Sequence, residues 1–180
     1  MVTAHSSLRR RGLLAGGAAA TLLVGCGFQM RQAPKFAFQT LVAALPDASP
    51  LRRELRNALV FAGVQVLDAM PAPLEPGVPS PVLVDAVLEV LADQREKSVV
   101  GSTAAGQVRE FQLRTRFRFR LSTPKGKELI ADAEILLQRD ISYSESVALS
   151  KADEEAEIYR DMQTDIVQQV LRRLAAVRSL

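Results

Sequence analysis

Four arginines occupy every second position in residues 114–120. Arg114, Arg116, Arg118 and Arg120 would all point to one face of a β-strand, because successive side chains alternate between the two faces. Guanidinium groups bind carboxylates and phosphates through paired hydrogen bonds. The row therefore faces a nucleic acid, an anionic lipid or the acidic residues of its own fold.

A candidate export signal occupies residues 1–25. Three arginines at positions 9–11 precede a short apolar run with small residues at its end, a pattern typical of a secretory signal. The run is shorter than the roughly 20 apolar residues that a membrane span needs. Leu23-Val24-Gly25-Cys26 also resembles the lipobox of bacterial lipoproteins, in which the cysteine is lipidated. The sequence thus predicts a lipidated Cys26 and leaves the general and twin-arginine export routes both open.

The remaining chain lacks the residues that most catalytic and metal sites use. Cys26 is the only cysteine, and the only histidine, His5, lies in the candidate signal. Neither a Ser-His-Asp or Cys-His arrangement nor a His/Cys metal site can then be built, and we expect no cofactor. Without residues 1–25 the chain has 20 basic and 20 acidic residues, so its basic excess belongs to the signal. This balance argues against a nucleic-acid partner.

Hydrophobic periodicity predicts an α+β domain over residues 36–180, after a lipidated tether at 26–35. The predicted fold is a two-layer sandwich of order β-α-β-β-β-α, with two helices on one face of a mixed four-stranded sheet. Alternating patterns predict strands at 36–42, 82–93, 107–122 and 127–142, a short strand at 64–67 and a flexible loop at 98–106.

Helical spacing of apolar residues predicts a first helix at about 50–62, with Ser49 as its N-cap and Gly63 as its C-terminal cap. A second helix is expected to begin near Ser150 and to bury one apolar stripe along its length. The stripe comprises Tyr159, Met162, Ile166, Val170, Leu174 and Val177.

The turn at residues 123–126 allows the pairing of the last two strands to be predicted. A three-residue loop with Gly126 in the left-handed region places Thr123 opposite Lys127. Arg118 then lies opposite Asp132 and Arg116 opposite Glu134. The same register sets Leu121 against Leu129 and Leu113 against Leu137 on the core face, and Arg114 and Arg120 opposite the apolar Leu136 and Ile130. We therefore expect the row to face mainly its own acids, with Arg114 and Arg120 freer to meet an external anion.

Five segments in order resemble the LptE family of lipopolysaccharide (LPS)-assembly lipoproteins. The chain after the candidate signal begins Cys26-Gly27-Phe28, similar to the family's lipidated start. The other segments are LRRELRNALVFAGVQVLD at 51–68, GQVREFQL at 106–113, ALSKADEEAEIYRDM at 148–162 and QQVLRRL at 168–174.

This resemblance implies a non-enzymatic outer-membrane lipoprotein that plugs the LPS translocon barrel LptD, assists its assembly and binds LPS. It implies an outer-membrane anchor, because Gly27 and not aspartate follows Cys26. Lys151 matches a family lysine implicated in LPS contact. Further candidate LPS ligands are basic residues near strand ends and turns: Arg95, Lys97, Arg109, Lys125 and Lys127. Candidate barrel contacts on the outer sheet face are Arg114, Arg120, Ile130 and Leu136.

Three alternatives stay open at this point. The first is an auxiliary lipoprotein of a lipid-transport ABC system, which shares the small α/β lipoprotein plan. The second is a carboxylate-dependent cell-wall hydrolase, which would need two acids in a cleft and one raised pKa. The third is a regulator of a periplasmic cell-wall synthase.

Overall fold

A mixed five-stranded sheet carries two helices in the computed structural model, which describes residues 34–72, 82–144 and 148–180. Residues Ala33–Leu180 form one compact unit. The strands are β1 Thr40–Ala44, β2 Gln65–Leu67, β3 Ala86–Ser102, β4 Val108–Ser122 and β5 Glu128–Ser142, and the helices are α1 Arg52–Phe61 and α2 Ala148–Ala175. The strand order is β2-β1-β3-β4-β5. The first strand is parallel to β2 and β3, and the β3-β4 and β4-β5 pairs are antiparallel.

The predicted α+β class, helix count and mixed sheet are confirmed, but the sheet has five strands and not four. The short segment Gln65–Leu67 is a full member, because it pairs with β1 along Thr40–Val42. The first strand begins at Thr40, later than predicted. The predicted signal and Cys26 lie outside the described residues. Neither described helix combines the length and the hydropathy that a membrane span requires.

The hydrophobic core lies between the helices and one face of the sheet. Alternate residues of β4 from Leu113 to Leu121 are buried on that face. The second helix contributes the predicted stripe from Met162 to Leu174, widened by Val167 and Leu171. Tyr159 is only partly buried, and Val177 follows the end of the helix and is partly buried against the core. Leu55 and Leu59 of α1 are buried in the same core. Burial of these apolar side chains is the main free-energy gain of the fold.

The predicted N-cap of α1 is wrong. The Ser49 hydroxyl donates to Asp93 Oδ2 at 2.5 Å, and α1 starts without a side-chain cap. The second helix begins at Ala148, so Ser150 lies inside its first turn. The C-terminal cap of α1 is confirmed, since Gly63 has φ +87° and its N–H donates to the Val60 carbonyl at 2.9 Å.

A bulge at Leu91 reverses the alternation of β3. Val90 pairs with Phe119 and Ala92 with Arg118, so Leu91 is the extra residue. Before the bulge, Glu89 lies on the outer face with Arg120. After it, Asp93, Arg95 and Lys97 pair with the core-facing residues Phe117, Thr115 and Leu113. Regular alternation along β3 would place these three side chains on the outer face. The bulge turns them toward the helices instead.

The third strand runs to Ser102, so the predicted loop at 98–106 shrinks to a tight turn. That turn and the next one have the same hydrogen bonds. Thr103 N donates to Gln107 O at 2.8 Å, and Thr123 N donates to Lys127 O at 2.8 Å, as predicted. Gly106 and Gly126 both have positive φ, at +79° and +85°. The β3–β4 hairpin extends the sheet beyond the core, since residues 94–100 of β3 are exposed.

The predicted register of β4 and β5 holds only beside the turn. Ser122 lies opposite Glu128, but two irregularities then shift the pairing, so Phe117 lies opposite Ile135. Leu121 consequently faces Ile130 and not Leu129, and Leu113 faces Arg139 and not Leu137. A shift of two residues preserves which side chains face the core. The face assignment of β4 is therefore right although the partners are not.

Candidate functional site

The six basic candidates for LPS contact do not form one cluster. Lys97 and Lys151 line a common pocket, and Arg95 lines the groove next to it. Lys125 and Lys127 lie at the β4–β5 turn and line a separate pocket with Leu180. About ten residues of β4 separate the two places, which corresponds to roughly 30 Å along the strand. The structure thus divides the predicted ligands between the two ends of the sheet.

The basic pocket, defined here by Lys97, Phe111, Tyr143, Lys151 and Glu155, lies between the first turns of α2 and the far end of the sheet. Its volume is about 70 Å³, which suits a group such as a phosphate and not a whole lipid. Lys97 Nζ lies 4.3 Å from the centre of the Phe111 ring, a cation–π contact. Phe111 in turn meets the Tyr143 ring edge-on at 5.1 Å.

Both lysines of the basic pocket are held by carboxylates of α2. Lys97 Nζ lies 2.5 Å from Glu155 Oε2, and Lys151 Nζ lies 2.6 Å from Glu154 Oε2. Lys151 also donates to Ser142 Oγ at 3.3 Å, and only 19% of its side chain is exposed. These ion pairs position the ammonium groups at the pocket and are weak enough near solvent to exchange for another anion.

An open groove continues from the basic pocket along α2. Ala152 and Glu155 line both, and Arg95, Ala156, Tyr159 and Arg160 complete the groove. The Arg95 guanidinium lies 5.1 Å from the centre of the Tyr159 ring and donates to Gln163 Oε1 at 3.0 Å. The Tyr159 hydroxyl donates to the Glu96 carbonyl at 2.9 Å. Burial first and the negative charge of Glu155 second raise the pKa of Tyr159, so this hydroxyl stays protonated as a donor.

Arg109 lies close to the basic pocket in sequence and in the sheet. Its carbonyl accepts from Tyr143 N at 2.7 Å, which fixes the backbone beside the pocket wall. The side chain is exposed and forms no ion pair with any described residue. Arg109 is therefore an available cation at the rim.

On the outer sheet face, each arginine of the row has an acidic partner. Arg118 pairs with Asp132, its Nε lying 3.2 Å from Asp132 Oδ1, and Arg116 Nε lies 3.8 Å from Glu134 Oε2. These predicted ion pairs form, although the directly opposite residues are Glu134 and Leu136. The pairing with Arg118 lowers the pKa of Asp132 through a side-chain hydrogen bond and charge attraction.

The expectation that Arg114 and Arg120 are freer than their neighbours is wrong. Arg120 donates to Glu89 Oε2 from Nε at 2.8 Å and from Nη2 at 2.6 Å. Arg114 Nη1 lies 3.6 Å from Glu96 Oε2. Both acids belong to β3, directly opposite these arginines. The turn relates the row only to β5, whereas β3 supplies both acids.

One apolar side chain of β5 lies among the charges of this outer face, since Leu136 is 40% exposed opposite Arg116. The prediction that Ile130 also lies on this face is wrong, because the register shift sets Ile130 opposite the buried Leu121 and it packs against the core. The face is therefore mixed in character, with every described arginine of the row neutralised and Leu136 between them.

Sequence reasoning missed Phe111, Tyr143 and Glu155 as parts of the pocket. The alternation of β4 already placed Phe111 on the helix side, and the three consecutive apolar residues Val90-Leu91-Ala92 are a signal of the bulge that brings Lys97 there. Nothing in the sequence indicates Glu155 as the partner of Lys97. Within the described residues, no group of three His, Cys, Asp or Glu side chains is arranged to hold a metal ion.

Comparison with known proteins gives a consistent result. The sequence model of the LptE lipopolysaccharide-assembly family matches residues 38–174. No curated protein matches. The solution structure of uncharacterized lipoprotein B from Nitrosomonas europaea is 28% identical, with a TM-score of 0.67, covering 83% of this chain and 91% of its own.

Two crystal structures are also similar. Rare lipoprotein B from Shewanella oneidensis is 25% identical with a TM-score of 0.59, covering 76% of this chain and 94% of its own. A minor lipoprotein from Acinetobacter baumannii is 20% identical with a TM-score of 0.59, covering 79% of this chain and 94% of its own, and this likeness concerns the fold.

Proposed function

Because the chain belongs to the LptE lipopolysaccharide-assembly family, we propose that it plugs the translocon barrel LptD, assists its assembly and binds LPS during insertion into the outer leaflet. The role is one of binding and not of catalysis. The observation that carries the LPS part of the proposal is the basic pocket, where two lysines and an aromatic ring converge.

The chemistry of the basic pocket suits a phosphorylated lipid. Lys97 and Lys151 supply ammonium groups that bind phosphate oxygens as charge-assisted donors. Phe111 and Tyr143 supply an apolar wall for the sugar or acyl part of the ligand. An incoming phosphate would take the place of the Glu155 and Glu154 carboxylates, and Arg109 at the rim would add a further cation.

The outer sheet face is the proposed contact with the barrel. Barrel interiors are polar, and a face of neutralised ion pairs with the apolar Leu136 between them matches such a wall without leaving unpaired charge. Arg114, Arg120 and Leu136 are the proposed contact residues. The two arginines would act together with Glu89 and Glu96, as ion pairs that exchange hydrogen bonds with the partner.

The proposed membrane attachment is based on the sequence of residues 1–35. We propose a signal at residues 1–25, an acylated Cys26 that anchors the protein in the outer membrane, a tether at 26–35 and a single domain at 36–180. The domain then lies in the periplasm and in the lumen of the barrel.

LPS binding by variants of the purified protein tests the pocket. Lys97→Gln and Lys151→Gln are each expected to weaken LPS recovery roughly tenfold, because each removes a hydrogen bond between charged groups. Lys125→Gln, at the other end of the sheet, is the matched control and is expected to bind as well as the unmodified protein. Circular dichroism establishes that all three variants are folded. Equal LPS recovery from all three variants would contradict this assignment of the site.

A further inference from the structure

The end of the sheet where the chain enters from the tether gathers several segments. Asp85 Oδ2 accepts from Gln39 N at 2.8 Å and from Thr40 N at 2.9 Å, which joins the start of β1 to the start of β3. The pocket lined by Asp85, Lys125 and Leu180 adds the β4–β5 turn and the segment after α2. The last turn of α1 lies at the same end, because Ala62 and Gly63 line a pocket with Phe36. We call this region the tether end.

Large apolar side chains are exposed at the tether end. Phe61 is 87% exposed, Leu83 is 80% exposed and Leu180 is 40% exposed. They belong to three different segments of the chain, so no single loop accounts for them. Exposed apolar groups gathered at one place on a protein commonly mark a contact surface.

The same end carries basic side chains without acidic partners. Lys35, Lys125, Lys127 and Arg178 are exposed, and none of the four forms an ion pair with a described residue. This differs from the arginine row on the outer face, where every guanidinium has a carboxylate. Of the acids at this end, Asp85 already accepts two backbone N–H groups, and the exposed Glu128 beside Lys127 forms no ion pair with a described residue.

We propose that, while the domain is not enclosed by the barrel, the tether end docks on an anionic phospholipid surface, the leaflet that holds the acylated Cys26. This inference rests on the proposed lipidation. Pro34 lies eight positions after Cys26, which permits a span of at most about 28 Å. The tether end is therefore kept within reach of the bilayer, while the basic pocket lies roughly 30 Å further along the strands.

The chemistry of the tether end fits a lipid surface. Phe61, Leu83 and Leu180 supply apolar groups for the boundary between headgroups and acyl chains. Lysines extend their charged ends to the phosphates while their stems lie against apolar surface. Docking fixes the orientation of the domain, so the basic pocket points away from the leaflet that anchors it.

The chain contains no tryptophan, so single tryptophans report docking directly. Leu83→Trp places one at the tether end, and Val100→Trp, at a position 50% exposed on the far hairpin, is the matched control. Each full-length acylated variant is reconstituted into vesicles of phosphatidylcholine and phosphatidylglycerol that include brominated lipid, and acylation is verified by mass. We expect quenching and a blue shift of Leu83→Trp, and neither for Val100→Trp.

The contribution of the basic side chains at the tether end is tested with the same vesicles. Adding Lys125→Glu and Lys127→Glu to Leu83→Trp is expected to shift the docking equilibrium at least roughly fivefold toward the free state. Vesicles of phosphatidylcholine alone should reduce quenching in the same direction. Absence of quenching in acylated Leu83→Trp, or equal quenching at Val100→Trp, would overturn the proposal. Recovery of LptD and LPS with the unmodified protein is measured in a separate experiment. A failure of the proposed function can then be distinguished from a failure of the docking proposal.

Discussion

Arg118 forms its ion pair with Asp132, although Asp132 lies two residues away from the position directly opposite on β5. The directly opposite residue, Glu134, is 3.9 Å from Arg118 Nε and is shared with Arg116. The long arginine side chain spans the diagonal of the antiparallel pair. A local shift of register therefore leaves the neutralisation of the outer face intact.

The pairing predicts how stability depends on pH. Arg118 lowers the pKa of Asp132, so Asp132 stabilises the fold above the ordinary aspartate pKa of about 3.9, and this contribution is lost as pH falls through the lower folded value. We expect Asp132→Asn to reduce the free energy of unfolding at neutral pH, with the difference from the unmodified protein shrinking below about pH 4. Urea unfolding across this pH range measures the difference, and a difference independent of pH would contradict the pairing.

The raised pKa of Tyr159 predicts that the protein loses stability at alkaline pH. Its pKa is raised in the folded protein, so its contribution to stability is complete below the tyrosine pKa of about 10 and is lost as pH rises through the folded value. Of the two tyrosines, Tyr143→Phe leaves only Tyr159. Ultraviolet titration of that variant should give a higher pKa when folded than in denaturant. Identical pKa values in the two states would refute the burial argument.

Because the two hairpin turns have the same backbone conformation, replacing the glycine of either turn with alanine should cost a similar amount of stability. Gly126→Ala and Gly106→Ala should each lower the free energy of unfolding by about 1–2 kcal/mol, because alanine resists positive φ. Apart from the glycine and its two chain neighbours, no described heavy atom lies within 4 Å of an added Cβ at either position, so a steric clash contributes nothing. Asparagine tolerates this conformation better and should cost less than alanine at the same position. Denaturant titration compares the four variants, and an unchanged stability in both alanine variants would contradict the backbone assignment.

Glu155 predicts a gain of LPS affinity. If the carboxylate competes with the ligand phosphate for Lys97, Glu155→Gln should strengthen LPS binding roughly two- to fivefold, the range expected for one solvent-accessible ion pair. Glu157→Gln is the matched control, because Glu157 pairs with Arg160 on the same helix, outside the basic pocket. Weaker LPS binding by Glu155→Gln would show that Glu155 supports the site and does not compete.

The fold class follows from the sequence because its signals are local. The apolar stripe of α2, Gly63 at the end of α1 and the turn before Lys127 each depend on a few neighbouring residues, and all three are confirmed. Register is different, since the irregularities in β4 and β5 arise from packing across strands. The pairing predicted from the turn therefore fails a few residues beyond it.

The site depends on the same non-local features. Lys97 reaches Phe111 and Glu155 only because the extra residue Leu91 turns it toward the helices. From the sequence, Lys125 and Lys151 are equivalent candidates for LPS contact, because both are basic and both lie near the end of a strand or a helix. The antiparallel order of the strands instead places the two lysines at opposite ends of the sheet.

Recovery of tagged, lipidated protein from solubilised outer membranes, followed by mass spectrometry and an LPS assay, tests the central claim most directly. We predict a stoichiometric large β-barrel of the LptD type with associated LPS. Recovery of a transporter subunit or a cell-wall synthase in place of the barrel would contradict the proposed function while leaving the fold unchanged.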